Sequence, residues 1–266
     1  MIRESQVRVN KKRIKAETRL SLGDQIRVAP IRYEQKQESD VPVSDQVAKS
    51  LLKRIVYEDE GLLVINKPSG IAVHGGSGVA YGLIEALRVA TGKKYLELIH
   101  RIDRDTSGLV MISKKRSVLK QLQDLLREHK IQKTYAAIVK GQVSLDKQQI
   151  DAPLLRYELA NGERRVRVSK DGKPSQTIFN VIERFKQVTL IHASPLSGRT
   201  HQIRVHGLSI GHPLLGDDKY GYQLPSSVSA RRLCLHALRL EIPNYPTIEA
   251  PLPEDMQEVL AQLRNK

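Results

Sequence analysis

The chain has 266 residues, enough for one substantial core plus a small appendage and too few for two full-sized domains. Its 44 Lys and Arg against 29 Asp and Glu give a net charge of +15, which points to a polyanion as partner. Nucleic acid is favoured over membrane, because no apolar run approaches the ~20 residues that span a bilayer and Met1-Ile2-Arg3-Glu4-Ser5 opens no signal-type apolar segment; the single Cys234 excludes an internal disulfide and argues against cysteine-based zinc sites, so the cytoplasm is the expected compartment.

Residues 1–33 carry nine Lys or Arg against three acidic residues. Val7-Arg8-Val9-Asn10, the turn-like Lys11-Lys12-Arg13, and Leu20 to Val28 predict short strands joined by polar turns, with too few apolar residues to fold independently. Pro30 to about Ser50, rich in Gln, Glu, Ser and Asp, reads as a linker, leaving 34–50 between the basic segment and a domain over 51–266. That domain begins with an apolar strand at Leu62 to Ile65, then a helix bearing Leu83, Ile84 and Leu87 on one face. A second helix carries Val118, Leu119, Leu122, Leu125 and Leu126, and a strand follows at Tyr135 to Val139. Further strands are predicted at Arg164 to Ser169, Gln176 to Glu183 and Val188 to Ala193, with Asp171-Gly172-Lys173-Pro174 as a turn. Thr200 is positioned to cap a short helix through Ser209, ended near Gly211, and Pro253-Glu254-Asp255 suits the first turn of a C-terminal helix with Met256, Val259, Leu260 and Leu263. Strands outnumber helices without regular interleaving, so the class is α+β rather than a doubly wound parallel sheet.

The polar stretch His100-Arg101-Ile102-Asp103-Arg104-Asp105-Thr106-Ser107-Gly108 interrupts two apolar runs, Tyr95 to Ile99 and Leu109 to Ser113. His100, Arg101 and Arg104 lie within three positions of Asp103 and favour its ionised, nucleophilic form. Taken alone, the segment is equally consistent with a charged surface hairpin, and Asp105 would point the same way as Asp103 if the chain were extended. No metal is expected: His201 and His206, five apart on a predicted helix, fall on different faces, and no His-Glu-x-x-His spacing occurs. Nor does a Walker-type glycine loop accompany Asp103-Arg104-Asp105. With aromatics at 4% and no Trp, an open stacking surface for single strands is disfavoured, whereas a pocket built on one or two tyrosines is allowed.

His-Arg-Ile-Asp-x-x-Thr-Ser-Gly resembles the signature of the RluA-type pseudouridine synthases, which isomerise uridine in ribosomal and transfer RNA. Further segments agree in the same order: Asn66-Lys67-Pro68-Ser69-Gly70 with His74-Gly75-Gly76, Lys133-Thr134-Tyr135-Ala136-Ala137, Gly198 to His206, and Leu233-Cys234-Leu235-His236-Ala237. The resemblance runs from about Arg54 to the C-terminus. It implies a mixed, mostly antiparallel sheet with a central catalytic cleft. Separately, the short strands of 1–33 resemble the back half of an S4-like RNA-binding domain whose two front helices are missing.

The resemblance also implies roles. Asp103 is the catalytic carboxylate, Arg204 its paired arginine in place of a solvated helix face, and Tyr135 the ring that stacks on the flipped uracil. Arg101 either fills the space the base leaves or binds a phosphate. His100, Thr106, Arg199 and His201 are substrate contacts or hydrogen-bonding supports, and Leu235 or Leu233 lines an apolar wall. Ile102 stands where many relatives have Leu. Asp103 attacks C1′, attacks C6, or assists a glycal route. The reaction calls for no cofactor. The implied substrate is large-subunit ribosomal RNA acted on by a monomer; the alternatives are transfer RNA, or an inactive RNA-binding or assembly protein.

Overall fold

A computed structural model of the protein describes residues 7–15, 17–28, 43–76, 81–221, 228 and 230–265. The chain divides into two compact units, Met1–Asp40 and Val41–Lys266.

In the first unit β1 (Val7–Val9), β2 (Lys12–Arg13) and β3 (Ile26–Val28) form an antiparallel sheet in the order β2-β1-β3. Asn10 and Lys11 turn β1 into β2 with φ of 48° and 65°, the left-handed pair that matches the strand twist of a tight hairpin. The Asn10 amide then accepts from Gln25 N at 3.0 Å and donates to Asp24 Oδ1 at 2.7 Å, tying turn to strand. The strand expected from Leu20 begins only at Ile26, because Asp24 turns back on Ser21 and Gly23 adopts φ 95°. Val9 is the one buried apolar residue among the unit's described residues, in keeping with its small apolar content.

The second unit opens with α1 (Asp45–Leu52), inside the segment expected to be linker. Ser44 caps it, accepting from Val47 N at 3.4 Å, and Ala48 and Leu51 are buried. The preceding part of that expected linker, 30–42, lies outside the described residues. Next come β4 (Ile55–Glu58), β5 (Leu62–Lys67), α2 (Leu83–Thr91), β6 (Glu97–Leu98), β7 (Ser107–Ser113) and α3 (Arg116–Arg127). They are followed by β8 (Gln132–Lys140), β9 (Lys147–Asp151), β10 (Leu154–Glu158), β11 (Arg164–Val168), β12 (Gln176–Arg184) and β13 (Val188–Pro195). The chain closes with α4 (Gln202–Ser209), β14 (Leu235–Glu241), β15 (Ile248–Glu249) and α5 (Glu254–Arg264).

The main sheet runs β4-β5-β7-β14-β8-β13-β12-β9, with β6 beside β7 and β15 beside β14; β10 and β11 form a separate hairpin. Every pair is antiparallel except β7 with β14, so the sheet is mixed and mostly antiparallel, as expected. β7 is buried at all of its positions, which explains the unbroken run Leu109-Val110-Met111-Ile112 where a half-exposed strand would alternate. The polar stretch therefore enters the sheet at its centre, where β7 meets β14. Gly108 makes that meeting possible: it has φ +110°, and a Cβ there would lie 2.5 Å from Ala237 N.

Two helix starts differ from expectation. The residue before α4 is His201, at φ 52° and without a side-chain cap, not Thr200. Gln202 does the capping from inside the helix: its Oε1 accepts from Arg199 N at 3.0 Å and from Ser197 Oγ at 2.7 Å. Pro253 sits just ahead of α5, with Glu254 and Asp255 in its first turn.

Candidate active site

The loop ahead of β7 is anchored from beneath. Lys67, fully buried at the end of β5, donates its three ammonium protons to the carbonyls of Pro68, Ile71 and Arg104 at 2.9, 2.8 and 3.0 Å. Burial pushes its pKa down to about 7, against the pull of Asp105 and Asp103. Gly70 N also donates to Arg104 O at 2.9 Å, and Ser69 Oγ to Asp105 O at 2.7 Å. Thr106 N donates to Asp103 O at 3.2 Å, closing a turn over residues 103–106. The loop is thus not extended; both aspartates border a wide outer cavity with His201 and Arg204, but only Asp103 reaches the inner cleft. Asp103 lines a cleft with Tyr135 and Arg204; Asp105 stays outside that cleft, 3.7 Å from the exposed Arg104.

The cleft has a volume of about 120 Å³ and takes in Asp103, Tyr135, Arg204, Arg101, Thr106, Arg199, His201 and Leu235. His100 is the exception among the sequence-derived candidates. Its Nε2 accepts from Met111 N at 3.0 Å, and the ring lines an adjoining cavity. Burial, then the neighbouring Lys133 charge, lower its pKa to about 3, so it is a neutral support. Of the two leucines offered for the apolar wall, Leu235 lines the cleft and Leu233 is plain core.

Tyr135 stands on β8 between Ala193 of β13 and Ala237 of β14, small neighbours that leave its ring room. Burial, and then the charge of Asp103, raise its pKa above the ordinary tyrosine value, which keeps the hydroxyl protonated.

Arg204 departs from expectation. Its side chain is buried, yet it is not in ion-pair contact with Asp103. Nε donates to Asp217 Oδ2 at 2.8 Å and Nη2 to Asp217 Oδ1 at 2.7 Å, a two-point fork, with Asp218 Oδ1 at 3.3 Å from Nη2. Asp217 Oδ1 also accepts from Lys219 N and Tyr220 N, both at 3.0 Å. Desolvation works against the guanidinium charge, but Asp217 and then Asp103 outweigh it, so the arginine pKa is raised. The physical reason for the correction is local: the chain after Gly216 offers a preorganised carboxylate, so Arg204 acts on Asp103 only through space.

His201 is the nearest cation-capable group to Asp103, with Nε2 3.9 Å from Oδ2. Its Nδ1 meets Tyr220 Oη at 2.8 Å, and that oxygen accepts from Val166 N at 3.0 Å. Burial pushes the Tyr220 hydroxyl up to about 12 and lowers the His201 pKa, the latter opposed by Asp103. The hydroxyl stays protonated, and its bond to Nδ1 fixes the plane of the imidazole with Nε2 turned toward Asp103. Arg204 stacks over the same Tyr220 ring at 5.1 Å, so one tyrosine braces both groups. His206 is instead a buried support between Thr177 Oγ1 at 2.8 Å and Ala152 O at 3.0 Å.

Asp217, Tyr220 and Arg156 escaped the sequence reading, and Lys133 and His236 stood in its motifs without a role. Asp217 and Tyr220 belong to Gly216-Asp217-Asp218-Lys219-Tyr220-Gly221, where adjacent acids in a basic chain were the available signal. Lys133 and Arg156 line the cleft from β8 and β10. His236, fully buried, meets Ser107 Oγ through Nδ1 at 2.9 Å and so fastens the start of β7 to β14.

The family model described as RNA pseudouridylate synthase matches residues 61–209, and the chain belongs to that family. Over its full length it is 47% identical to the ribosomal large subunit pseudouridine synthase C of Pasteurella multocida, covering 85% of that protein. It is 48% identical to the protein of the same name from Yersinia pestis, with 99% of this chain and 86% of the relative covered. The solved structure of human RNA Pseudouridylate Synthase Domain Containing 4 superposes with a TM-score of 0.71 at 27% identity, covering 83% of this chain and 96% of that one. Human RNA Pseudouridylate Synthase Domain Containing 1, at TM-score 0.62 and 24% identity, shares the fold.

Proposed function

We propose that the protein converts specific uridines of large-subunit ribosomal RNA to pseudouridine. The observation that supports this best is the meeting of Asp103, Tyr135 and Arg204 in one cleft within a family of RNA pseudouridylate synthases. Names of close relatives supply the substrate class. In the reaction the C1′–N1 bond breaks, the uracil turns, and a C1′–C5 bond forms; N1 gains a proton and C5 loses one. No electrons enter or leave, so the chemistry needs no redox cofactor. Asp103 carries the covalent or charge-stabilising step, by attack at C1′ or C6 or by assisting a glycal. Tyr135 provides a flat apolar face on which the detached base rotates while water is excluded.

Arg204 holds a fixed positive charge behind that carboxylate. With Nε and Nη2 committed to Asp217, Nη1 is the nitrogen without a partner among the described residues and the one available to substrate. His201 faces Asp103 with Nε2 3.9 Å from the carboxylate, too far for a hydrogen bond, and acts on it through space. The enzyme acts as a monomer in the cytoplasm, and the basic segment 1–33, with its S4-like strands, adds phosphate contacts beside the target. Pseudouridine mapping of ribosomal and transfer RNA from cells with and without the gene tests the assignment. Sites lost from large-subunit RNA and restored by the gene support it; loss confined to transfer RNA, or no loss at all, overturns it.

A further inference from the structure

Next to the catalytic cleft lies a larger cavity of about 610 Å³, within the size range of sites that hold a small organic ligand. The two share Arg101, Lys133, Pro195, Ser197 and Gly198, so a strand of RNA leaving one enters the other. The sheet's outer strands make its floor. Asn180 of β12 pairs with Lys147 of the edge strand β9, and Ile178, two residues earlier on the same face, pairs with Ser194 of β13. Leu126, Ile131 and Leu196 give the walls an apolar surface, and Leu196 is 41% exposed.

The charge of this cavity is one-sided. Arg101, Lys133 and Lys147 all line it, and no Asp or Glu does. None of these three cations has a side-chain hydrogen bond or ion pair among the described residues. Burial lowers the Lys133 pKa, as it does for an ammonium held at a site with no counter-charge of its own. Arg101 and Lys147 are exposed and keep their hydration, whereas the partly buried Lys133 holds an unpaired charge at a cost in stability that a visiting anion would offset. The polar groups on the floor, Asn180 and Ser194, can meet a base edge, while the aliphatic walls take its face.

We propose that this cavity is a binding site for the nucleotide adjoining the target uridine on the same RNA strand. Its phosphate lies between Arg101 and Lys133, where the two cavities join. Its base enters among Leu126, Ile178 and Leu196, with Lys147 at the open end. Because the uridine itself must leave the stack to reach Asp103, its neighbour is left without a stacking partner, and the cavity takes that partner's place. The inference rests on RNA being the substrate, and it adds how target context is read: by the flanking base, without aromatic stacking.

The test is a cycle of two perturbations on the full-length protein. The probe is a synthetic ribosomal RNA fragment in which the parent protein forms pseudouridine, alone or with an abasic ribose on the 5′ or the 3′ side of the target. The protein partner is the double variant Lys147→Ala/Leu196→Ala, both exposed positions outside the catalytic cleft. Loss of one base held against aliphatic walls corresponds to about a fivefold to tenfold weaker Kd. Expected is a loss of that order for the variant on intact RNA, the same loss for the parent on one of the abasic RNAs, and little further loss when both are combined. Single-turnover rates at saturating enzyme should stay near the parent's. Losses that multiply on both abasic RNAs, or a variant that binds intact RNA like the parent, overturn the site. Conversion of the intact RNA by the parent is scored separately, so failure of the substrate assignment shows as no pseudouridine, whereas failure of the site leaves turnover in place.

Discussion

Arg204 and Asp217 are joined by two short hydrogen bonds, 2.8 and 2.7 Å, with both side chains buried. Asp103, the carboxylate proposed for the chemistry, is a different residue and makes no such fork. Asp217 thereby fixes the guanidinium plane, and the Asp103 side of the cleft is left open to substrate.

Arg204→Lys should lower the single-turnover rate by about 100-fold while changing RNA affinity only a few-fold, because a point charge cannot reproduce the fork or the placement of Nη1. Asp217→Asn should act at a distance from the chemistry, destabilising the fold by about 3 kcal/mol by leaving a buried guanidinium undercompensated, and reducing the rate as well. Urea unfolding with rapid-quench assays measures both. An unchanged rate in both variants contradicts the proposed role of the pair.

Lys67 never reaches the cleft, yet it holds the Asp103 loop through Arg104 O. Lys67→Met fills the volume and leaves the carbonyls of Pro68, Ile71 and Arg104 without their donor. A loss of about 3 kcal/mol in stability and a rate deficit larger than any change in RNA affinity are expected. Normal turnover by a stably folded Lys67→Met protein would show that the anchor is dispensable.

The pH dependence of stability has a defined sign at His100. Its pKa falls from 6.5 to about 3 in the folded protein, so between those values the unfolded chain binds a proton that the native state does not. The stabilisation is present above pH 6.5 and is lost as pH falls toward 3. Since His236, lowered to about 4, contributes in the same direction, the informative quantity is a difference. His100→Gln, which keeps an acceptor for Met111 N, should show a shallower fall in unfolding free energy over that interval than the parent. Parallel profiles would mean that His100 does not carry the linkage.

Much of the site was legible because its residues occur in compact motifs. Asp103, Arg204, Tyr135 and Leu235 come from four separate segments, and the fold brings them to one cleft. What could not be read was pairing. The motifs offered Arg204 only Asp103 as a partner, and the pairing with Asp217 depends on the turn after Gly216 presenting its carboxylate to the helix, which spacing does not reveal. Asp103 and Asp105 were indistinguishable as an extended segment; with the turn closed by Thr106 N, both border the outer cavity but only Asp103 reaches the inner cleft beside Tyr135. Lys67 stood within a family-like segment with no role assigned; lysine is seldom fully buried, and only the converging carbonyls account for its place. At the N-terminal side of the domain, composition suggested linker through Ser50, while Ser44 followed by Asp45 was a helix-start signal sufficient to place α1.

That helix sets where the basic segment can be removed. Deleting residues 1–40 leaves Ser44 and α1 in place. It should weaken RNA binding and flatten the dependence of log K on log salt by roughly 0.7 to 0.9 for each phosphate that the shortened protein no longer neutralises. Chemistry at saturating enzyme should be nearly unchanged. Filter-binding titrations across a salt series decide; identical slopes for both forms would mean the segment touches no phosphates.

The most direct test is single-turnover pseudouridine formation by Asp103→Asn on ribosomal RNA that the parent modifies, with RNA affinity measured on the same preparation. Asparagine keeps the shape of the side chain and the Thr106 turn while removing the charge and the nucleophile. No detectable pseudouridine, with Kd within a few-fold of the parent, is the expected result, because binding is spread over many phosphates and chemistry is not. Conversion at the parental rate by the Asp103→Asn protein would contradict the assignment of the cleft.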